Sequence, residues 1–560
     1  MAETQTLPVR EDVPEELTWK LEDIFPTDQD WGEAFNELQK DISKMSDFQG
    51  KLGESATQLL NMFTLQDELS ERLGKLYTYA HMRYDQDTTN DNYQAMNQKA
   101  ESIITEASQH MSYIVPEILE IPEQTIQQFL KEENGLTLYK QTLDEITRQK
   151  KHILSKEEEA LLAKVSDPIR SASQTFGMLN NADLTFPVIE NEKGEKIELT
   201  HGKYLGFMES PDRKVREKAF KAMYETYGQF KNTFASTLGG VLKKDNFYAD
   251  VRHYDSARQA ALDSDKIPES VYDHLIDAIH EKLPLLHRYI ELRKKVLNVD
   301  ELHMYDLYTP LVKDIDMTIP YEKAKEYVLK GLKPLGEDYS QVLEEAFNQR
   351  WIDVVENKGK RSGAYSSGAY GTNPYILLNW QDNLNDLFTL VHELGHSVHS
   401  YYTRKNQPFR YGDYSIFVAE VASTTNEALL NEYMIENAQT KEEKMYLLNH
   451  FLEGFRGTVF RQTMFAEFEH NIHERAQKGE ALTAEVLSNL YYDLNQKYYG
   501  ESMHSDEEIA LEWARIPHFY YNYYVYQYAT GYSAATTLAN GILKKKPGAI
   551  HNYIDFLKAG

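Results

Sequence analysis

Cysteine is absent from all 560 residues. That excludes a disulfide framework and any metal site built on thiolates, and it fits a reducing cytoplasm. Proline (17) and glycine (28) are sparse and rarely cluster, so a helical bundle is the simplest frame for the chain. No run of 18 apolar residues occurs, so neither a membrane span nor a membrane partner is expected. The start, Met1 to Pro14, is polar and acidic and has no apolar signal core. Basic residues are in deficit: 60 Lys and Arg against 88 Asp and Glu, a net charge of −28. Nucleic acid is therefore a poor partner. The plain use of the charge is solubility, with steering of cationic substrates as the alternative. No internal repeat or low-complexity tract is visible.

Hydrophobic residues make up 41% and charged residues 26%, a globular balance. A chain of this length can bury a large core and divide into two or more lobes. Residues 1–15 read as a loose tail, 16–182 as an N-terminal helical lobe and 183–560 as the region that carries the chemistry. Met62, Leu65, Leu69, Leu73, Leu76 and Ala80 step by three or four, which is a core stripe and nothing more. Near residue 183 the pattern changes. Leu184–Ile189 and Lys196–Leu199 flank Asn191-Glu192-Lys193-Gly194, which reads as a β-hairpin. Helical patterning resumes through Arg216 to Leu238, Val271 to Leu297 and Tyr321 to Phe347. A small, Gly-rich run then spans 362–374, and Tyr375 to Trp380 is strand-like. The pair is either a long loop or a flexible loop with a short strand beside the helix that follows, its free backbone groups able to pair with an extended peptide.

That next helix organises the chain. Leu387, Leu390, Val391, Leu394 and Val398 recur at helical spacing around His392-Glu393-Leu394-Gly395-His396. Asp382 or Asn385 could cap its start. His392 and His396 stand one turn apart on one face, roughly 6 Å from each other, and can bind a single Zn²⁺. Glu393, next to the first ligand, reaches a water rather than the metal. An ordinary polar helix face could match the pattern by chance. Here the helix is strongly apolar, where two unpaired imidazoles and a carboxylate are costly to bury. Gly395 inside the helix costs about 1 kcal/mol against alanine and implies that something approaches closely.

A catalytic zinc needs a third protein ligand. His399 lies on the same helix face, but about two turns from His392, roughly 10 Å along the axis, too far for a compact site. Glu420, on a second helical pattern after a turn-rich link, is the better candidate. Glu427 shares its face and is placed to hydrogen-bond a ligand imidazole. Two solvated carboxylates remain the bland alternative in so acidic a chain. Near the C-terminus, residues 518–532 hold seven tyrosines. Tyrosine keeps a hydroxyl that wants a partner, and Tyr O–H or His N–H groups suit an oxyanion. Most of these rings read as helix packing. His518, with Tyr523 and Tyr526, are the candidates for chemistry.

Together these residues make the chain similar to the thimet oligopeptidase (M3) family of zinc peptidases, in its oligoendopeptidase F branch. The likeness runs from Trp19-Lys20-Leu21-Glu22-Asp23-Ile24-Phe25-Pro26 through Arg252-His253-Tyr254-Asp255-Ser256 and the histidine motif to Pro517-His518 and Tyr528-Ala529-Thr530-Gly531. The resemblance implies His392, His396 and Glu420 as ligands of one Zn²⁺ per chain and Glu393 as general base. It implies His518 and Tyr526, with Tyr523 less securely matched, as oxyanion donors. It also implies a mainly α fold in which two helical lobes enclose a deep channel for short oligopeptides, with a small strand element near the active site. A metallocarboxypeptidase and a non-catalytic helical peptide-binding protein are the other readings. Oligomeric state and side-chain preference are not legible.

Overall fold

The computed structural model describes residues 7–312 and 317–560. Helix makes up 72% of the chain and strand 3%, so the fold is mainly α. Two compact units emerge: Met1–Lys150, Asp316–Asn437 and Ala534–Gly560 form the first, and Lys151–Ile315 with Ala438–Ser533 the second. The boundary read from sequence at 182/183 falls inside the second unit. Among the described residues no helix is long and apolar enough to cross a membrane.

In the first unit the stripe from Met62 to Ala80 lies on the helix Ala56–Gln86, whose start is capped by the Ser55 side chain accepting from the Gln58 N–H. Met62, Leu69, Leu76 and Ala80 are fully buried, and Leu65 and Leu73 pack against the same cluster. The helices Asp28–Ile42 and Asp91–Met111 cover that stripe, and the Trp31 indole N–H donates to the Leu76 carbonyl at 2.9 Å. A three-stranded sheet completes this unit. Tyr375–Leu377 is central, with Ile352–Asp353 parallel on one side and Tyr365–Ser367 antiparallel on the other. The pattern Tyr321 to Phe347 is two helices, Tyr321–Gly331 and Glu337–Asn348. Pro334 and Gly336, the latter at φ +98°, break it.

Of the segment read as a loose tail, residues 1–6 lie outside the described residues, and the remainder is held. Lys358 donates its N–H to the Pro8 carbonyl, and Arg10 forks onto the fully buried Asp353. Lys360, also fully buried, sits 2.6 Å from the same carboxylate. Burial works against the charge on Asp353, but Lys360 and Arg10 outweigh it and hold the carboxyl below its ordinary range.

The second unit begins with the helix Lys156–Met178 and holds the expected hairpin, Val188–Glu190 against Lys196–Glu198. Its helices Arg213–Gln229, Lys231–Val251, Glu269–Leu297, Lys441–Gly454, Arg461–Gln477 and Ala484–Tyr499 enclose buried ion pairs such as Arg461–Glu512 and Arg216–Asp306, both 2.7 Å.

Replacing Asp353 with alanine leaves Lys360 buried without its partner. The expected cost is about 3–5 kcal/mol, read as a lower melting temperature and as release of the N-terminal segment to proteolysis.

Candidate functional site

The motif helix spans Leu384–Asn406. Its cap is Asn383, in a reciprocal capping box with Asp386, and not Asp382 or Asn385. Asp382 instead takes a left-handed backbone at φ +58° and accepts from the Trp380 indole N–H. A second helix, Ile416–Asn437, packs extensively on the first. A Cβ placed on Gly395 would lie 2.5 Å from the Ser423 Cα and 2.8 Å from its nitrogen, so only glycine allows this crossing. Fully buried Asn426 ties the pair further, donating to the Val391 carbonyl while accepting from Tyr339.

The crossing brings the expected residues together. The His392 and His396 rings are 4.9 Å apart at 83°. The Glu420 carboxylate lies 3.3 Å from His392 Nε2 and 3.6 Å from His396 Nε2, and the three donor atoms lie within 4.8 Å of one another. Glu427 accepts from His392 Nδ1 in a 2.5 Å hydrogen bond, which points Nε2 at Glu420 and makes it the nitrogen a metal would use. Ser423 donates to the Glu420 carboxylate at 2.8 Å and fixes its rotamer. His399 is excluded from this set. It is 1% exposed, stacks on Tyr414 at 3.6 Å, and its Nδ1 is buried without a hydrogen-bond partner.

The charges within the set fit a divalent cation. His392 is raised to about 9: burial opposes this, but the hydrogen bond and charge of Glu427, then Glu393 and Glu420, outweigh it. His396 is lowered to about 4 by burial and by the charge of His392. Glu393 is pushed up to about 7, first by burial and then by Glu420, with His392 and the Ser366 backbone N–H acting the other way. Three carboxylates thus meet two imidazoles of opposite tendency, an arrangement that a divalent cation suits. Two imidazoles and a carboxylate are also a zinc donor set. The site is therefore consistent with the metal that the sequence pattern implies.

The Gly-rich run is not loop throughout: it holds the strand Tyr365–Ser367, which lies beside the motif helix, while the strand expected over Tyr375 to Trp380 forms as Tyr375–Leu377. Ser366 bonds Glu393 through its backbone and Ser397 through its hydroxyl, at 2.8 Å. On its sheet this strand pairs with Tyr375–Leu377 alone among the described residues. A cavity of about 290 Å³, lined by Ala364, Leu378, Trp380, Asn385 and Thr389 among others, opens next to it. The role of Ser423 had no signal in the sequence, since a serine three residues after a glutamate is common on any helix.

The tyrosine-rich residues are in the second unit. His518 is half-buried in the short 3-10 turn Pro517–Tyr520. Its Nε2 is 3.3 Å from the Tyr528 hydroxyl, and its ring lies parallel to Tyr524. Tyr523 and Tyr526 are 3% and 1% exposed and pack on Tyr272. The left-handed backbone at Asn522 and Tyr523 (φ +34° and +56°) turns the chain, and the Tyr523 N–H is caught by the buried Glu469 carboxylate at 2.7 Å.

A convergent His–His–Glu set with a carboxylate on the adjacent residue is the donor pattern of a metallopeptidase, and comparison with known proteins gives the family. The chain belongs to peptidase family M3: residues 206–560 match the model "Peptidase family M3" and residues 117–186 the model "Oligopeptidase F". It is therefore a peptidase. It is 61% identical over 554 residues to oligopeptidase PepF of Bacillus subtilis, covering 99% of this chain and 83% of that protein. The crystal structure of a putative peptidase from Chlamydophila abortus superposes with a TM-score of 0.94 at 35% identity, covering 99% and 93%. That of oligoendopeptidase-F from Enterococcus faecium gives 0.71 at 46% identity, covering 95% and 91%.

Gly395→Ala forces the two helices apart and is expected to cost about 1–3 kcal/mol as overpacking, with weakened Zn²⁺ binding. Gly239→Ala, at a helical glycine with nothing within 4 Å of the added Cβ, is neutral or stabilising in the same thermal scan. If the His392, His396 and Glu420 set holds a metal, Glu427→Gln is expected to keep the fold and to lower metal affinity about 10–100-fold, measured with Zn²⁺ by competition with a chelating dye.

Proposed function

We propose that the chain is a cytoplasmic zinc endopeptidase that cleaves internal bonds of short oligopeptides, with one Zn²⁺ held by His392, His396 and Glu420. The observation that carries this reading is the convergence of those three donors with Glu393 beside them. Zn²⁺ in such a set supplies Lewis-acid chemistry, making water acidic near neutrality and polarising a carbonyl. Glu393, buried and raised towards neutrality, accepts the proton of the attacking water at its carboxylate and passes it to the leaving amine. The Ser366 backbone contact holds that carboxylate in place.

The unpaired side of strand Tyr365–Ser367 suits an extended peptide, which would add as a further strand along the helix that carries Glu393. Its neighbouring cavity accepts a side chain. Oligopeptides as substrates agree with the printed names of the relatives, oligopeptidase and oligoendopeptidase. His518 is proposed as an oxyanion donor, its half-buried ring meeting the Tyr528 hydroxyl through Nε2 at 3.3 Å. For Tyr523 and Tyr526, whose rings are buried, the same role requires the segment to turn them outward.

Glu393→Gln is expected to keep its metal and melting temperature while hydrolysing a quenched internal peptide at background rate. Near-normal turnover by this variant ends the proposal, and product masses from the wild-type protein show whether the cut is internal. His518→Ala is expected to lower kcat by about 10²–10³. Tyr526→Phe, if its ring serves packing, changes kcat by less than about threefold.

A further inference from the structure

We infer that the chain carries a second divalent-cation site, formed by Glu301, His303 and His504 and oriented by Asp506, all in the second unit. It shares no residue with the His392 set. Leu302–His303 pairs in parallel with Met503–His504, and His303 is the direct partner of His504. Partnered residues project to the same face, so the two imidazoles stand side by side with centroids 4.6 Å apart. The donor atoms of His303, His504 and Asp506 all lie within 4.8 Å of one another. Glu301 reaches between the rings, its carboxylate 3.2 Å from His303 Nε2 and 3.4 Å from His504 Nδ1.

His303 is set up as a ligand in the way His392 is. Asp506 accepts from His303 Nδ1 at 2.7 Å and from the Met304 N–H at 2.9 Å. The carboxylate fixes the proton on Nδ1 and leaves the Nε2 lone pair towards Glu301. Asp506 is 8% exposed on its side chain, so this bond is sheltered. The backbone beneath is equally fixed. The His303 N–H donates to Asp306 at 3.0 Å, and fully buried Asp306 is clamped by Arg216 and Arg213 at 2.7 and 2.8 Å. One carboxylate on Nδ1, a second imidazole alongside and a glutamate in front of Nε2 resemble the surroundings of His392, with the difference that Glu301 meets the two rings through separate oxygens where one Glu420 oxygen meets both.

Two imidazoles and a carboxylate select a first-row transition dication, Zn²⁺ or its neighbours, over Mg²⁺ or Ca²⁺. The Glu301 and His504 side chains are 61% and 49% exposed, so water completes the coordination and the ion exchanges with solution. The ion ties together two stretches about 200 residues apart in sequence. Asp506 immediately precedes the 3-10 stretch Glu507–Arg515, which leads into the turn carrying His518. Its consequence is a stiffer entry to that segment.

The test is the number of ions bound by the full-length chain after chelator stripping and equilibrium dialysis against a fixed, saturating concentration of free Zn²⁺. Wild type is expected to hold two ions and His504→Ala one, with peptidase activity retained. Asp506→Asn weakens the second ion about 10–100-fold. Across the Zn²⁺ titration the melting temperature of the wild type rises further above its ion-free value than that of His504→Ala. A single ion on wild type, or two on His504→Ala, overturns the inference. His392→Ala separates this question from the catalytic one. It should still bind one ion, removed by adding His504→Ala, whether or not it cleaves peptides, and no ion on His392→Ala also overturns the site.

Discussion

The candidate site depends on how closely two helices cross at Gly395. Ser423 is the residue met there, its Cα 2.5 Å from where a Cβ on Gly395 would stand. Glu420 lies one turn before Ser423 and Glu427 one turn after it, so a single crossing delivers two carboxylates to the histidine pair. Glu420 arrives at the Nε2 atoms and Glu427 at the Nδ1 of His392. A wider crossing would move both at once. A mid-helix glycine costs about 1 kcal/mol in propensity, and the short approach it permits repays that through Asn426, whose amide bridges the helices at 3.2 Å.

Around that crossing, electrostatics decides which atoms do chemistry. Burial alone would make both imidazoles poor bases. For His396 it wins, but for His392 the hydrogen bond and charge of Glu427 reverse it. Two neighbouring histidines thereby acquire opposite tendencies, one drawn towards the imidazolium and the other towards the neutral ring. Glu393 reports the same imbalance from the other side, since burial and the neighbouring acids raise it to about 7. A dication placed among these groups favours neutral imidazoles and ionised carboxylates together, which protons cannot do.

The motif helix was legible because its information is local. Apolar spacing fixed the face, and His392, Glu393 and His396 follow within five residues. Gly395 signalled a close neighbour without saying which one, and Glu420 followed from the need for a third ligand. The cap was misread by one residue because Asp382, Asn383 and Asn385 are all competent. The left-handed backbone at Asp382 and the reciprocal partner Asp386 select Asn383. In the tyrosine-rich segment, helical spacing has no meaning across the left-handed turn at Asn522 and Tyr523. Sequence reading therefore could not show that Tyr523 and Tyr526 pack inward while Tyr524 and Tyr528 accompany His518.

The features that escaped the sequence are those joining distant positions. Arg10 meets Asp353 across 343 residues, and the Thr403 hydroxyl, on the motif helix, bonds the Leu557 carbonyl across 154. No periodicity announces such a partner, because each end looks locally like an ordinary polar residue. Their value comes from burial: an ion pair excluded from water fails badly when one member is removed, whereas an exposed pair contributes little. His303 and His504 belong to the same class of long-range meeting. Neither is remarkable in sequence, yet a two-residue parallel pairing makes them neighbours, and the buried Asp506 gives one of them a fixed tautomer. A carboxylate on Nδ1 of a histidine, beside a second imidazole, thus occurs twice among the described residues, at His392 on neighbouring helices and at His303 between segments about 200 residues apart.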